Sequence, residues 1–262
     1  MERISPRMIN DVVTLASRQE VADGIFVLTF TSSELAARAQ PGQFVNVLAG
    51  DECGPFLRRP FSISRAEGSS VELLFNVVGH GTRFLASRRP GDRLDVLGPL
   101  GTPFHVDGTF ATALLVGGGL GVAPLPLLTE TLARTGKEVV TFLGARTKNQ
   151  IVTRGLQNVQ VSTDDGSAGF RGTVVGLLTS YLDGHDTGRS KIFGCGPTPM
   201  LRALQTVAIQ RELPCEISLE GDMACGIGLC QGCPVERTGD GKKYALVCTD
   251  GPAFECREVN LR

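Results

Sequence analysis

TALLVGGGLGVAP, residues 112–124, is a continuous apolar run that passes directly into glycines and then a proline. An apolar run this short, bounded by glycine, reads as a strand buried on both faces. Pro124 suits the first turn of a helix, where a backbone N–H has no partner to lose, and the helix is expected to run to about residue 135. A buried strand feeding a helix is the unit of a parallel sheet covered on both sides. The pattern continues downstream: residues 138–143 and 158–162 read as strands, 172–182 as a helix, 191–193 as a strand and 197–211 as a helix. Residues 105–212 are therefore expected to form a Rossmann-like α/β nucleotide domain. Its glycine turn departs from G-x-G-x-x-G, because Val122 stands where the last glycine should be. Gly194-Cys195-Gly196-Pro197 supplies a second strand-to-helix turn, and two such turns suggest a crevice for a dinucleotide.

Working outward towards the N-terminus, the character changes. Residues 25–30, 43–48, 71–78 and 93–97 read as short strands separated by Pro-Gly, Gly-Ser-Ser and Pro-Gly-Asp breaks. Residues 1–104 are thus expected to be a small β-barrel or sandwich. Within them, Arg58-Arg59-Pro60-Phe61-Ser62-Ile63 taken alone is an ordinary strand with a solvated arginine. The same residues have the chemistry to pair a pyrophosphate, cover a flat ring and hydrogen-bond its edge. Gly79-His80-Gly81-Thr82 offers backbone and hydroxyl donors to the same phosphates, with His80 a surface residue of the turn.

Towards the C-terminus, residues 213–262 are short, glycine-rich and weakly periodic. They are expected to bury little core and to need another means of support. The chain has 8 cysteines, and 4 of them fall between Cys225 and Cys248. Cys225, Cys230, Cys233 and Cys248 follow C-x4-C-x2-C…C, the spacing of plant-type [2Fe–2S] centres. Three thiolates on one tight loop converge while a fourth arrives from a neighbouring strand, and Gly226, Gly228 and Gly232 let the backbone wrap closely. A structural zinc site more naturally shows two C-x2-C pairs, and only Cys230 and Cys233 form one. A thioredoxin-like pair wants a βαβ unit beside it. The spacing favours the cluster over zinc, and zinc over the rest. Cys53 and Cys215 read as small buried hydrophobes, and Cys256 as a spare thiol near the cluster.

Composition narrows the class. Net charge is −1, with no basic stripe, so no nucleic-acid partner is expected. No apolar run reaches the length of a signal peptide or a membrane span, which points to a soluble cytoplasmic protein without a membrane partner. In a reducing compartment, clustered cysteines read as metal ligands rather than disulfides.

Together these motifs resemble the ferredoxin reductase superfamily over nearly the whole chain. The resemblance implies an N-terminal Greek-key FAD-binding β-barrel, a NAD-binding α/β domain and a small C-terminal [2Fe–2S] module. The R-x-[YF]-S motif for flavin reads Arg59, Pro60, Phe61, Ser62, with Leu74, Phe75 and Asn76 alongside, and Gly81 and Thr82 at the flavin pyrophosphate. The G-G-x-G-x-A-P turn places Gly118, Gly119 and Gly121 at NAD, and the C-G-P-x-x-M motif adds Cys195, Gly196 and Pro197 near the nicotinamide.

The tail, SLEGDMACGIGLCQGCPVE followed by VCTDGPAFECREV, is similar to the electron-transfer subunits of NAD-dependent (type B) dihydroorotate dehydrogenase, whose cluster ligands map onto the four cysteines. That resemblance implies an FMN-containing catalytic partner subunit, assembled two and two. Electrons pass from it through the cluster and FAD to NAD⁺ in pyrimidine (UMP) biosynthesis, and Ser62 and Cys195 tune hydride transfer. Small subunits of NADH-dependent ferredoxin:NADP oxidoreductases and sulfide dehydrogenases are the competing relatives. They tend to carry Asp where this chain has Cys225. A zinc-bearing, non-catalytic nucleotide sensor is a second alternative. NAD against NADP stays open: Asp164 and Asp165 suit a ribose, whereas Arg146 suits a phosphate.

Overall fold

The computed structural model describes residues 8–50, 56–239 and 241–261; Cys53 lies outside them. The strands are β1 (Ile9–Ala22), β2 (Ile25–Thr31), β3 (Phe44–Val47), β4 (Arg59–Glu67), β5 (Ser70–Asn76) and β6 (Arg93–Leu100), with α1 (Ser33–Arg38) before β3 and α2 (His80–Ala86) before β6. All six pair antiparallel in the order β1-β2-β5-β4-β3-β6 and close on themselves, a Greek-key barrel. Alternate residues such as Val45, Val47, Ile63, Val71 and Leu73 fill its interior. β1 is the strand that the sequence pattern did not announce. Only Val13 and Leu15 of its residues are buried, so its apolar alternation lasts for two positions.

The rest of the chain continues with β7 (Thr112–Gly118), α3 (Leu125–Arg134), β8 (Glu138–Ala145), β9 (Val159–Thr163), β10 (Phe170–Arg171), α4 (Val174–Gly184), β11 (Ser190–Cys195), α5 (Thr198–Gln210), β12 (Cys215–Ser218), β13 (Pro234–Arg237), β14 (Tyr244–Leu246), β15 (Ala253–Glu255) and β16 (Val259–Asn260). A second sheet runs β10-β9-β8-β7-β11-β12-β15, parallel except for β15. Leu125, Leu128 and Leu132 of α3 cover one face, where they meet Ile25, Val27 and Leu74 of the barrel. Leu178 of α4 and Leu201 and Leu204 of α5 cover the other. Strand order reverses between β7 and β11, the position at which open α/β sheets bind ligands beyond their strand ends.

The tail differs from the expectation that it buries little. β12 extends the large sheet, β15 returns to its edge, and Cys233, Ala245, Val247, Cys248, Phe254 and Val259 join the same core as Leu114 and Phe142. Packing therefore supports the tail after all. Its apolar residues are scattered between turns and reach the core from a three-stranded sheet, β14-β13-β16, so no periodicity marks them. Cys256 is fully buried just after β15, where it meets Cys215 of β12 in the core that also holds Cys233 and Cys248.

Candidate functional site

A cavity of about 580 Å³ lies at the seam of barrel and sheet. Its barrel wall is residues 59–62 of β4, 74–76 of β5, and Gly81 and Thr82 of α2. Its far wall is Leu120, Ala123, Cys195 and residues 218–223. Every residue that the flavin motif singled out thus faces one space, together with Cys195. Gly118, Gly119, Gly121, Gly196 and Pro197 do not line it.

The two arginines divide by register. Arg58 is consumed by the barrel: it donates to the Asp95 carboxylate at 2.9 Å, to the Asp95 carbonyl and to Asn10 Oδ1. Arg59 lines the cavity and spends one guanidinium nitrogen on the carbonyls of Leu57 and Arg58, leaving its remaining donors for an anion. Phe61 departs from the flat-ring expectation. It is 8% exposed and lies edge-on to Phe75 at 5.6 Å, so most of its ring belongs to the barrel core. Ser62 pairs with Phe44 across the β3–β4 ladder, and both line the cavity. Thr82 closes its own helix start. Its hydroxyl accepts from the N–H groups of Val78 and Gly79 and donates to the Gly79 carbonyl. Gly81 packs against Ala49, where a Cβ would sit 3.3 Å from the alanine methyl.

At the sheet end the two glycine turns press on one another. A Cβ on Gly121 would lie 2.0 Å from the Cys195 carbonyl oxygen, and one on Gly118 would lie 2.4 Å from Met200 Sδ. Gly121 is required by the close approach of the turn after β7 to the end of β11, while Gly118 sits against Met200 of α5. Cys195 is almost fully buried. Burial first, and Glu220 second, push its thiol up to about 12 against a hydrogen bond with Ser218, so it is uncharged at neutral pH. Sequence reasoning missed Glu220. Water reaches it, but the concave wall surrounds its carboxyl with protein, and that loss of hydration raises its pKa. A lone glutamate after a strand carries no motif, and only the fold brings it beside Cys195.

The four cysteines lie near one another, Cys248 meeting both Cys233 and Cys225. Cys225 and Cys230 interact through their sulfurs, and so do Cys233 and Cys248. Left-handed Gly226 (φ 70°), Gly228 (φ 81°) and Gln231 (φ 58°) bend the loop around them. Burial alone would raise the Cys225 thiol. Backbone N–H groups from Cys230, Ile227 and Leu229 outweigh it and bring that thiol down to about 7. Cys248 goes the other way, to about 12, through burial and its hydrogen bond with Cys233. Three thiols on one turning loop, with Cys248 brought to them from the turn after β14, are a donor set that fits a [2Fe–2S] cluster.

Comparison with known proteins agrees. Residues 220–260 match the family described as the iron-sulfur cluster binding domain of dihydroorotate dehydrogenase B. Over 248 residues the chain is 38% identical to the dihydroorotate dehydrogenase B (NAD(+)), electron transfer subunit of Desulforamulus reducens, spanning 91% of this chain and 94% of that one. The subunit of the same name from Geobacillus thermodenitrificans is 38% identical over 258 residues, spanning 95% and 98%. A solved structure of an NADH-dependent reduced ferredoxin-NADP oxidoreductase, studied for flavin-based electron bifurcation, superposes with a TM-score of 0.85 at 30% identity. It covers 96% of this chain and 90% of its own. No helix among the described residues is long and apolar enough to cross a membrane.

Proposed function

This chain belongs to the family of dihydroorotate dehydrogenase B (NAD(+)) electron transfer subunits, and from that premise we propose how its residues divide the work and which partner it serves. The chain is the electron-transfer subunit of an NAD-dependent flavin and iron–sulfur oxidoreductase, and it acts with a catalytic subunit. When bound, FAD exchanges a hydride with the nicotinamide and single electrons with the cluster, which links it to the partner.

Arg59 pairs the flavin pyrophosphate, with N–H groups at Gly81 and Thr82 beside it. Residues 60–62 and 74–76 form the wall against which the flavin ring lies, and the Ser62 hydroxyl hydrogen-bonds its edge. Neutral Cys195 and the glycine turns at residues 118–121 and 196–197 position the dinucleotide at the strand-order reversal. A thiol held uncharged offers bulk and a weak donor at the nicotinamide without competing as a nucleophile. Cys225, Cys230, Cys233 and Cys248 hold the cluster. The partner is an FMN-containing catalytic subunit, present two and two with this chain.

The observation that carries this reading is one cavity that unites the flavin-strand residues with Cys195, on a chain whose next segment brings four thiols together. The test is dihydroorotate-dependent NADH formation by the chain co-expressed with a candidate FMN-bearing subunit. NADH formation that fails without this chain supports substrate, partner and direction together. Absent activity, in protein that has flavin and cluster bands and oxidises NADH with a dye, moves the assignment to a ferredoxin-linked partner.

A further inference from the structure

Asn46 lies on β3 between Val45 and Val47, whose side chains fill the barrel, so its own side chain points outward with that of Phe44. Phe44 lines the cavity, and Asn46 pairs across the ladder with Pro60 of the cavity wall. Asn46 is 1% exposed, and its Nδ2 donates to the carbonyl of Cys225 at 3.0 Å, a contact spanning 179 residues of sequence. The loop is shaped to meet it. A Cβ on Gly226 would sit 2.1 Å from Asn46 Nδ2, so that glycine is demanded by the amide as well as by its φ of 70°. Asn46 Oδ1 is buried without any hydrogen-bond partner. The amide cannot be turned to relieve this, because that would set its oxygen against the Cys225 carbonyl. A buried acceptor left unpaired calls for an explanation beyond packing.

We propose that Asn46 is a positioning residue for the cluster, the link by which the flavin barrel sets the first ligand peptide of the cysteine loop. The proposal rests on the functional reading above. The trans peptide from Cys225 to Gly226 is planar, with its C=O and N–H on opposite sides, so drawing the carbonyl onto Asn46 turns the Gly226 N–H away from the barrel. That fixes the start of the run whose N–H groups, from Ile227, Leu229 and Cys230, point at the Cys225 sulfur. Donors to a cluster's sulfurs raise its reduction potential, and the same anchor sets how the loop stands against the flavin wall.

The experiment measures flavin and cluster midpoints separately, by spectroelectrochemistry and the EPR signal of the reduced cluster, with stopped-flow reduction by NADH. Asn46→Leu removes the donor at similar size. Asn46→Asp keeps the shape and reverses the contact, and serves if the leucine variant does not fold. Asn46→His returns an N–H at similar reach. The expected result is a lower cluster midpoint and cluster reduction slowed by about tenfold in Leu and Asp, flavin reduction at the wild-type rate, and recovery in His. Unchanged midpoints and rates in Leu and Asp, with clusters fully loaded, overturn the proposal. So does a flavin midpoint that moves as far as the cluster's, which marks Asn46 as mere barrel structure. Wild-type protein lacking flavin or cluster bands overturns the functional reading instead.

Discussion

In the cavity between barrel and sheet, residues 59–62 and 74–76 line the space from ladders whose alternate residues are buried in the barrel. In the cysteine loop, residues 225–233, none belongs to a helix or strand, and three lie in left-handed backbone. The cavity is therefore shaped by interactions that do not involve its ligand. The loop is shaped by turns and by the Asn46 hydrogen bond, and on the proposed reading its thiols must also lose protons to take iron. One region should keep its form when emptied, and the other should not.

The largest effect expected from this contrast is at Cys248. The residue is 1% exposed and lies in the core that also holds Cys233. Cys248→Ser removes one of the four proposed ligands and leaves a polar hydroxyl in that core, so the iron–sulfur bands should vanish. The tail should become open to protease, while the flavin spectrum stays. Loss of flavin together with the cluster would show that the cavity depends on the loop and would break the comparison.

Arg59→Ala tests the other side. Hydrogen bonds to a charged group contribute about 1.5–3 kcal/mol, so FAD affinity should fall roughly ten- to a hundredfold with cluster content unchanged. Fluorescence titration of flavin-stripped protein reads this directly. Arg58→Ala makes the control. Its guanidinium is committed to Asp95 and Asn10, and its loss should lower stability more than affinity.

Gly121→Ala sharpens where the glycine turns belong. With its new methyl 2.0 Å from the Cys195 carbonyl, the turn after β7 must move away from the end of β11, and overpacking of this kind costs about 1–3 kcal/mol. Melting temperature should fall by several degrees, and NADH-driven flavin reduction should slow more than FAD binding weakens. An alanine variant that melts normally and reduces normally would make the turn's glycine a matter of sequence alone.

How far the sequence reveals this molecule follows the same contrast. Strands β2, β3, β5, β7 and β8 fall where apolar alternation or continuous apolar runs place them, because burial on one or both faces leaves that period in the residues. β1 and the tail strands were invisible, the first because only Val13 and Leu15 are buried, the second because their core residues sit between turns. The cysteine spacing was legible without any fold, since a cluster needs three of those thiols within one loop and a fourth close by in sequence. Glu220 and Asn46 were not. Each acts by meeting a residue from another part of the chain, Cys195 in one case and Cys225 in the other, and nothing local distinguishes them from any surface glutamate or strand asparagine.

The smallest expected effect concerns what holds the cavity's two walls together. Glu72 of β5 accepts both terminal nitrogens of Arg154, from the segment between β8 and β9, one of them at 2.8 Å. The pair joins barrel to sheet, beside the apolar seam where Leu74 meets Leu125. If both ions were enclosed, removing one would cost several kcal/mol, because the other would be stranded. Here the Arg154 side chain is 41% exposed and Glu72 11%, so the guanidinium turns to water when its partner goes. Glu72→Gln should therefore cost about 1 kcal/mol, the upper range for exposed pairs. In a chain of this size that is a fall of roughly 2–4 °C in melting temperature. FAD affinity should not change, since the apolar seam keeps the walls in register without the ion pair. A flavin dissociation constant that rises with the loss of this one charge would mean that the cavity, like the cysteine loop, is held by a few point contacts.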